Sequence, residues 1–300
     1  MAMHAVMSWF VREPRLAELA PQPVEPVEPA PAMAVAPVPI GQHALDWTPT
    51  RLATTDSLWG DGYLFPDGEN ETLRLAKPLG LSDASSLLLL GVGGGGPACS
   101  IATETGAWVS GFESDADLAA AAVDRVMRRN LVRRAQIEVW DPGQPNFRKH
   151  FYHHGMALEA LQGNDPVRVL TAVAQALKPS GHLVLIELAA DKRLDPDDPV
   201  VAGWATLTGR DPRALPTEAA ITRVLRRLKF DVRVVEDISQ RQMQQAMAGW
   251  QHEVQALRTA RPSRREALSC VQEAELWMLR LRLFETGVLR LVRWHAIGGG

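Results

Sequence analysis

The sequence has 300 residues, 46% of them hydrophobic, which is enough for a substantial core. Its 32 Lys and Arg against 35 Asp and Glu give a net charge of −3. This balance argues against a nucleic-acid partner, because basic residues supply most of the affinity for a polyanion. No apolar run reaches the ~20 residues of a membrane helix, so we expect no membrane span. The start of the chain lacks the features of a signal peptide, and Cys99 and Cys270 form neither a disulfide framework nor a metal motif. We therefore expect a cytoplasmic protein without a metal site.

The first part of the chain is dominated by proline. Between residues 21 and 40 proline recurs every few positions, which removes backbone donors and favours extended polyproline II. We predict that residues 1–45 form a disordered arm that acts as a tether. Docking of a protein partner through this arm is the alternative.

From residue 46 onward, apolar runs alternate with helical segments, which predicts an α/β fold with a doubly wound, mostly parallel sheet. A predicted helix pair before the last strand suggests that this strand returns antiparallel. A polar segment at about 191–215 and the helices at about 239–284 are predicted to form a helical cap. The predicted helices span residues 97–105, 115–130, 164–178, 218–229, 239–260 and 263–284. The seven predicted strands span residues 86–92, 107–112, 136–140, 150–155 (a weak pattern), 182–188, 231–235 and 288–297.

A glycine-rich turn, GVGGGG at residues 91–96, follows the first strand and precedes a helix. Glycine lets the backbone pass close beneath a ligand, and the helix N-terminus offers unpaired N–H groups. Glu113 follows the next strand about 20 residues later, where a carboxylate accepts from the ribose hydroxyls of a nucleoside. The pair predicts a nucleotide-type cofactor. The loop fits both G-x-G-x-x-G and G-x-G-x-G, so it does not separate a nicotinamide cofactor from S-adenosylmethionine.

Asp141 stands at the end of the third strand and has two interpretations. Its carboxylate is placed to accept from an adenine amino group, beside Trp140 or Pro142. Asp before Pro and Gly is equally typical of a simple turn. Both interpretations stay open on the sequence.

With these residues in order, the chain from Trp59 to about Ile297 resembles the class I S-adenosylmethionine-dependent methyltransferases. It is most similar to the small-molecule types, which act on phosphoethanolamine, sarcosine or glycine, and tocopherol. The resemblance implies a Rossmann-like fold and a methyltransferase domain over residues 46–300. The stretches that carry it are WGDGY (59–63), the glycine loop running into Pro97 and Ala98, Gly111 to Glu113, QALKPSGHLVL (175–185), KFDVRVVEDIS (229–239) and VLRLVRWHA (288–296).

The resemblance also implies roles for individual residues. The cofactor that the resemblance implies is S-adenosylmethionine, and the implied partner is a small-molecule methyl acceptor. Tyr63 falls where the phosphoethanolamine type places a catalytic tyrosine, and a buried structural aromatic is the alternative. The implied cofactor residues are Gly91, Gly93 and Gly95 for the methionine and ribose portions, Glu113 for the ribose hydroxyls and Asp141 for the adenine edge.

Three positions depart from the family pattern. Leu89 replaces an acid that helps hold the cofactor's amino group, a bond typically worth about 1.5–3 kcal/mol. Ser114 replaces an apolar residue against adenine, and Ala160 replaces the histidine that pairs with the tyrosine. His153 and His154 are candidates for the missing general base, because imidazole titrates near neutral pH. A structural role for this histidine pair is the alternative.

The sequence thus predicts methyl transfer from S-adenosylmethionine to a nitrogen, oxygen or carbon nucleophile of a small molecule. Methyl transfer needs little acid–base machinery, so the missing base does not exclude activity. A catalytically inactive S-adenosylmethionine sensor or interaction protein is the alternative. A nicotinamide oxidoreductase would need a separate acid–base pair, and the sequence offers no good candidate pair.

Overall fold

Helices and strands follow one another along the backbone from residue 49 to residue 298, and most of the strands are separated by helices. The computed structural model describes residues 44–161 and 164–299. The predicted arm lies outside the described residues, apart from its last two positions. The helices are α1 Pro49–Trp59, α2 Gly68–Ala76, α3 Gly96–Thr105, α4 Ala116–Arg128, α5 Pro166–Ala176, α6 Pro199–Thr208, α7 Glu218–Arg227, α8 Ser239–Thr259 and α9 Arg264–Glu285.

The strands form one seven-stranded sheet in the order β3-β2-β1-β4-β5-β7-β6. Strand β7 runs antiparallel to both of its neighbours, whereas the other pairings are parallel. This confirms the predicted doubly wound sheet with an antiparallel last strand. The strands are β1 Ser86–Leu90, β2 Trp108–Glu113, β3 Ala135–Val139, β4 Tyr152–Leu158, β5 Leu177–Ala190, β6 Phe230–Asp237 and β7 Leu289–Gly298.

Strand β1 is apolar throughout because both faces of the sheet are covered. Leu87 and Leu89 point into one core, together with Ile101 of α3. The alternate residues Leu88 and Leu90 point into the core on the opposite face. Side chains alternate along a strand, so a continuous run of leucines is what a central strand with two buried faces requires.

Two predicted segments differ from the observed ones. The weak fourth strand was expected at residues 150–155, but β4 covers Tyr152–Leu158 and ends three residues later. The segment at 191–215, expected to be a polar insertion, contains α6, whose Trp204 is fully buried. Neither α1 nor α2 was predicted. Thr50, Thr54 and Thr55 give α1 little helical signal, and its stability depends on the Thr48 N-cap and on tertiary packing.

Helices α1, α6, α8 and α9 pack together above the sheet as the predicted cap. Their contact is an apolar cluster that includes Leu58, Trp59, Leu207, Ala246 and Trp277. The rings of Trp59 and Trp277 lie with centroids 4.9 Å apart. Large aromatic side chains therefore fix α1 against α9.

Some features bear on membranes, metals and disulfides. Within residues 44–161 and 164–299, no helix is long and apolar enough to cross a membrane. The same ranges contain no group of three or more His, Cys, Asp or Glu side chains arranged to hold a metal ion. Cys99 and Cys270 are both free thiols.

Gly249 of α8 tests the packing of the cap. A Cβ there would lie 2.5 Å from Cζ3 of the buried Trp59. Alanine in a helix normally gains up to about 1 kcal/mol over glycine, but overpacking costs about 1–3 kcal/mol. We expect G249A to lower the free energy of unfolding measured by urea denaturation.

G203A is the matched control, because Gly203 also lies inside a helix. A Cβ there would meet Cδ1 of Leu279 at 3.2 Å, and that side chain can move. We expect G203A to stay within about 1 kcal/mol of the wild type. Equal stability of the two variants would contradict the packing described.

Candidate functional site

The glycine loop lies between β1 and α3. Strand β1 has β2 on one side and β4 on the other, so the order of the strands reverses direction at β1. Such a switch point leaves a crevice outside the carboxyl ends of the strands. Gly91, Gly93 and Gly95 all have positive φ, at 72°, 57° and 95°. A Cβ on Gly91 would lie 2.2 Å from the carbonyl oxygen of Leu158 in β4. The glycines are therefore required by the backbone path.

Glu113 ends β2 beside this loop and is 2% exposed. Its Oε2 accepts from the backbone N–H of Gly93 at 2.8 Å, and its Oε1 accepts from the backbone N–H of Ser114 at 2.8 Å. Burial raises the pKa of Glu113, although the hydrogen bonds from Gly93, Asp115 and Ser114 oppose it. The loop and the acid predicted from the sequence thus meet directly.

A cavity of about 380 Å³ opens at this edge of the sheet, within the size range of small-molecule sites. Gly91, Gly93 and Glu113 line its floor, and Leu158 and Glu159 follow from β4. Trp204, Trp277 and Arg280 of the cap line the opposite side, together with Arg51, Arg210 and Glu273. The cavity therefore joins the glycine loop to the helical cap.

Asp141 follows β3 two residues after Val139, which pairs with Glu113. Its side chain is exposed, and its Oδ1 accepts from the backbone N–H of Gly143 at 2.7 Å. It does not line the cavity described above. The turn interpretation accounts for the observed hydrogen bond, and the adenine contact stays a prediction.

Tyr63 does not reach the cavity. It is 5% exposed, and its hydroxyl donates to Oγ of Ser100 in α3 at 2.9 Å. Burial raises the pKa of Tyr63 to about 12, against the effect of the Ser100 hydrogen bond. The hydroxyl is held inside the protein, which agrees with the structural interpretation, and the catalytic role of Tyr63 stays a prediction.

His153 and His154 lie at the opposite end of the sheet. Nδ1 of His153 is 2.8 Å from Oγ of Ser86, the first residue of β1, and its Nε2 is 2.8 Å from Nζ of Lys178 near the start of β5. Burial, with smaller effects of His182 and His153, lowers the pKa of His154 to about 4. The four residue steps from His154 to Leu158 span about 13 Å. The structure therefore does not bring this pair to the cavity, and its catalytic role stays a prediction.

Two of the departures from the family pattern, Leu89 and Ala160, are buried and bring no titratable group to the site. Leu89 is fully buried in the sheet, paired with Gly111 and Met156, so it brings no charge to the loop. Ala160 is also buried and carries no titratable group. The acid and the histidine of the family pattern have no counterpart at these two positions.

The sequence interpretation missed a buried charged cluster beside the cavity, formed by Glu159, Glu187, Arg210 and Arg280. Nη1 of Arg280 donates to Glu159 Oε2 at 3.1 Å, and Nη2 of Arg210 donates to the same oxygen at 3.3 Å. Burial raises the pKa of Glu159, but Arg280 and Arg210 together outweigh it and hold the pKa below its ordinary value. The only sequence signal was an acid directly after β4, since the arginines come from distant parts of the chain.

Two features distinguish this cluster, a strained backbone conformation and a shifted pKa. Glu159 has φ of 47°, a left-handed conformation that costs a non-glycine residue about 1–3 kcal/mol. Glu187 of β5 is 1% exposed, and burial, reinforced by the Glu159 carboxylate, raises its pKa to about 7 although Arg210 lowers it. Strained backbone conformations and shifted pKa values are both typical of functional sites.

Comparisons with known proteins give relatives but no matching family model. Phosphoethanolamine N-methyltransferase 2 of Caenorhabditis elegans is 24% identical over 141 residues, 46% of this chain and 32% of the relative. Methyltransferase GfsG of Streptomyces halstedii is 29% identical over 143 residues, 47% of this chain and 51% of the relative. The matched regions thus span about half or less of these relatives.

The structure of Haemonchus contortus phosphoethanolamine N-methyltransferase 2 with S-adenosyl-L-methionine has a TM-score of 0.75 at 20% identity. The match covers 85% of this chain and 58% of that one. The chain has the class I methyltransferase fold. The resemblance drawn from residues 59–297 is thereby confirmed. At this identity the comparison establishes the methyltransferase fold, and the chemistry depends on the site.

Tyr63 offers a test of its structural role. We expect Y63F to lower the free energy of unfolding by about 1 kcal/mol, because it removes a buried hydrogen bond to Ser100. Ser100 Oγ still donates to the carbonyl oxygen of Gly96, so no donor is left unpaired. Thermal and urea denaturation measure the change. A Y63F variant as stable as the wild type would contradict the stabilising role of this hydrogen bond.

Glu187 predicts a pH dependence of stability. Its pKa is about 7 in the folded protein against 4.5 ordinarily, so between these values the folded state holds a proton that the unfolded state has lost. Stability from this group therefore falls as the pH rises from 4.5 to 7. E187Q has no carboxyl group at this position to titrate. As the pH rises from 5 to 8, we therefore expect the free energy of unfolding of the wild type to fall relative to that of E187Q.

The size of that movement is bounded by the pKa difference, at about 3 kcal/mol. Urea denaturation of both proteins at the two pH values measures it, and comparing differences cancels the constant cost of the substitution. A difference that does not vary with pH, or that moves against E187Q, would contradict the raised pKa.

Proposed function

We propose that this chain binds S-adenosylmethionine and transfers its methyl group to a small-molecule nucleophile. The observation that carries the proposal is the direct contact of Glu113 with the glycine loop inside one cavity, Gly93 N–H to Glu113 at 2.8 Å. A nucleoside bound by a class I methyltransferase needs both parts at one crevice. The fold supports the same conclusion.

The residues present fit this cofactor. Gly91, Gly93 and Gly95 leave room where a Cβ would fill the loop, and Glu113 supplies a buried carboxylate for the ribose hydroxyls. We retain Asp141 as the proposed contact for the adenine edge. When bound, S-adenosylmethionine supplies an electrophilic methyl group on a sulfonium sulfur.

The protein's own contribution is mainly positional. The floor of the cavity holds the nucleoside side, while the cap, through Trp204, Trp277 and the charged cluster, shapes the space for an acceptor. Holding two reactants in line supplies a large part of the acceleration in such transfers. Burial of these walls also excludes water from the reacting atoms.

The acceptor is proposed only as a small molecule with a nitrogen, oxygen or carbon nucleophile. The curated relative from Caenorhabditis elegans is named for phosphoethanolamine, but the matched region covers 32% of that protein. The proposal therefore does not extend to that substrate.

A cofactor-binding protein without turnover is the second candidate. Leu89 favours it, since this fully buried apolar residue stands where the family pattern has an acid. Loss of one charge-assisted hydrogen bond weakens binding by a factor of about ten or more. This candidate predicts cofactor binding that is never followed by consumption.

Calorimetric titration with S-adenosylmethionine tests the proposal, with NAD as the competing cofactor. We expect micromolar binding of S-adenosylmethionine, no binding of NAD, and loss of binding in G93W, which places a large side chain on the cavity floor. E113Q should weaken binding about 10- to 100-fold, because a buried charge-assisted acceptor is lost.

D141N is the matched control for E113Q, since it also replaces a carboxylate by its amide. Asp141 is exposed, so we expect D141N to weaken binding less than about tenfold. Binding of NAD instead of S-adenosylmethionine would move the protein to the oxidoreductases. Absence of both at millimolar concentration would refute the proposal, and binding without turnover across acceptor classes would favour the second candidate.

A further inference from the structure

One carboxylate is shared by two arginines at the cap side of the cavity. Glu159 accepts from Arg280 at 3.1 Å and from Arg210 at 3.3 Å, and all three side chains line the cavity. Arg280 also donates to Oε1 of Gln242 at 2.8 Å. Guanidinium groups facing a cavity are ordinarily the preferred partners of phosphates and carboxylates. Here the protein supplies that carboxylate itself.

The remaining charges around the cavity strengthen this effect. Glu187 lies 3.8 Å from Arg210, and Arg51, the third arginine of the lining, pairs with Glu273 at 3.0 Å. Each arginine that lines the cavity among the described residues therefore has a carboxylate partner. The lining acids outnumber these arginines: Asp46, Glu71, Glu113, Asp115, Asp117, Glu159 and Glu273.

One of these acids is balanced from outside the cavity. Glu71 pairs with Arg74 at 2.5 Å and with Arg241 at 2.9 Å. The others leave an excess of negative charge, which repels an anion in a cavity with low-dielectric walls. An anionic ligand would have to displace Glu159 from its arginines or remain near unpaired carboxylates.

We propose that the cavity selects an acceptor without phosphate or carboxylate groups, an uncharged or amine-bearing small molecule, because Glu159 occupies the anion-binding face of Arg210 and Arg280. The inference deepens the proposed function and rests on it in one respect, which is that the selected ligand is the methyl acceptor. Glu159 is then a specificity-determining residue. Its exclusion of anions acts in the protein whether or not the cofactor binds.

Releasing the two arginines tests the proposal. Inorganic phosphate is the probe, titrated by calorimetry at pH 8 into wild type and E159Q, with thermal denaturation to verify folding. We expect no saturable binding to the wild type up to about 10 mM, and a gain of at least about tenfold in phosphate affinity for E159Q. The double variant E159Q/R280Q, which removes one of the released charges, should lose that gain.

The opposite results overturn the inference. These are saturable phosphate binding by the wild type that R280Q abolishes, or a folded E159Q with no gain over the wild type. If E159Q does not fold, the wild-type and R280Q titrations decide. Absence of saturable phosphate binding to the wild type then supports the inference, and wild-type binding that R280Q abolishes overturns it. Parallel titrations with S-adenosylmethionine keep the proposals separate, because failure to bind it removes the proposed function and leaves the result with phosphate intact.

Discussion

The geometry of the glycine loop depends on one buried guanidinium. Arg125 of α4 is 4% exposed and donates to the carbonyl oxygen of Gly94 inside the loop. The same side chain donates to Asp56 and Asp61 at 2.8 Å each. A buried charge that lost these partners would destabilise the protein by about 3–5 kcal/mol. The loop is therefore fastened to the end of α1 and to the turn after it, as well as to its own strand and helix.

This attachment explains the WGDGY segment that precedes the sheet. Gly62 donates from its backbone N–H to Asp56 at 2.7 Å and accepts from the backbone N–H of Gly96 at 3.0 Å. A Cβ on Gly62 would lie 2.6 Å from that same nitrogen. The segment therefore packs against the glycine loop and supports it, and Tyr63 is part of this segment. The likeness of WGDGY to the family pattern thus marks a segment that contacts the glycine loop.

Local patterns predicted the parts of the fold in which each residue's neighbours along the chain decide its environment. The leucine run of β1, the glycine loop and the pairing of Glu113 with it follow from spacing alone. The charged cluster at the cap could not be predicted in this way, because Glu159, Arg210 and Arg280 meet only after three separate segments have packed. The surroundings of the β4 histidines could not be predicted for the same reason. Imidazole partners such as Ser86 and Lys178 come from other strands and leave no trace in the local sequence.

The antiparallel strand β7 also governs the order in which the protein can fold during synthesis. It lies between β5 and β6, so those two strands share no edge until residues 289–298 have left the ribosome. Until then β5, the long strand whose residues 186 and 188 line the cavity, exposes an unpaired edge. Unpaired strand edges promote association between chains. The β5 edge that β7 later covers is thus the part of this topology most open to pairing with another chain.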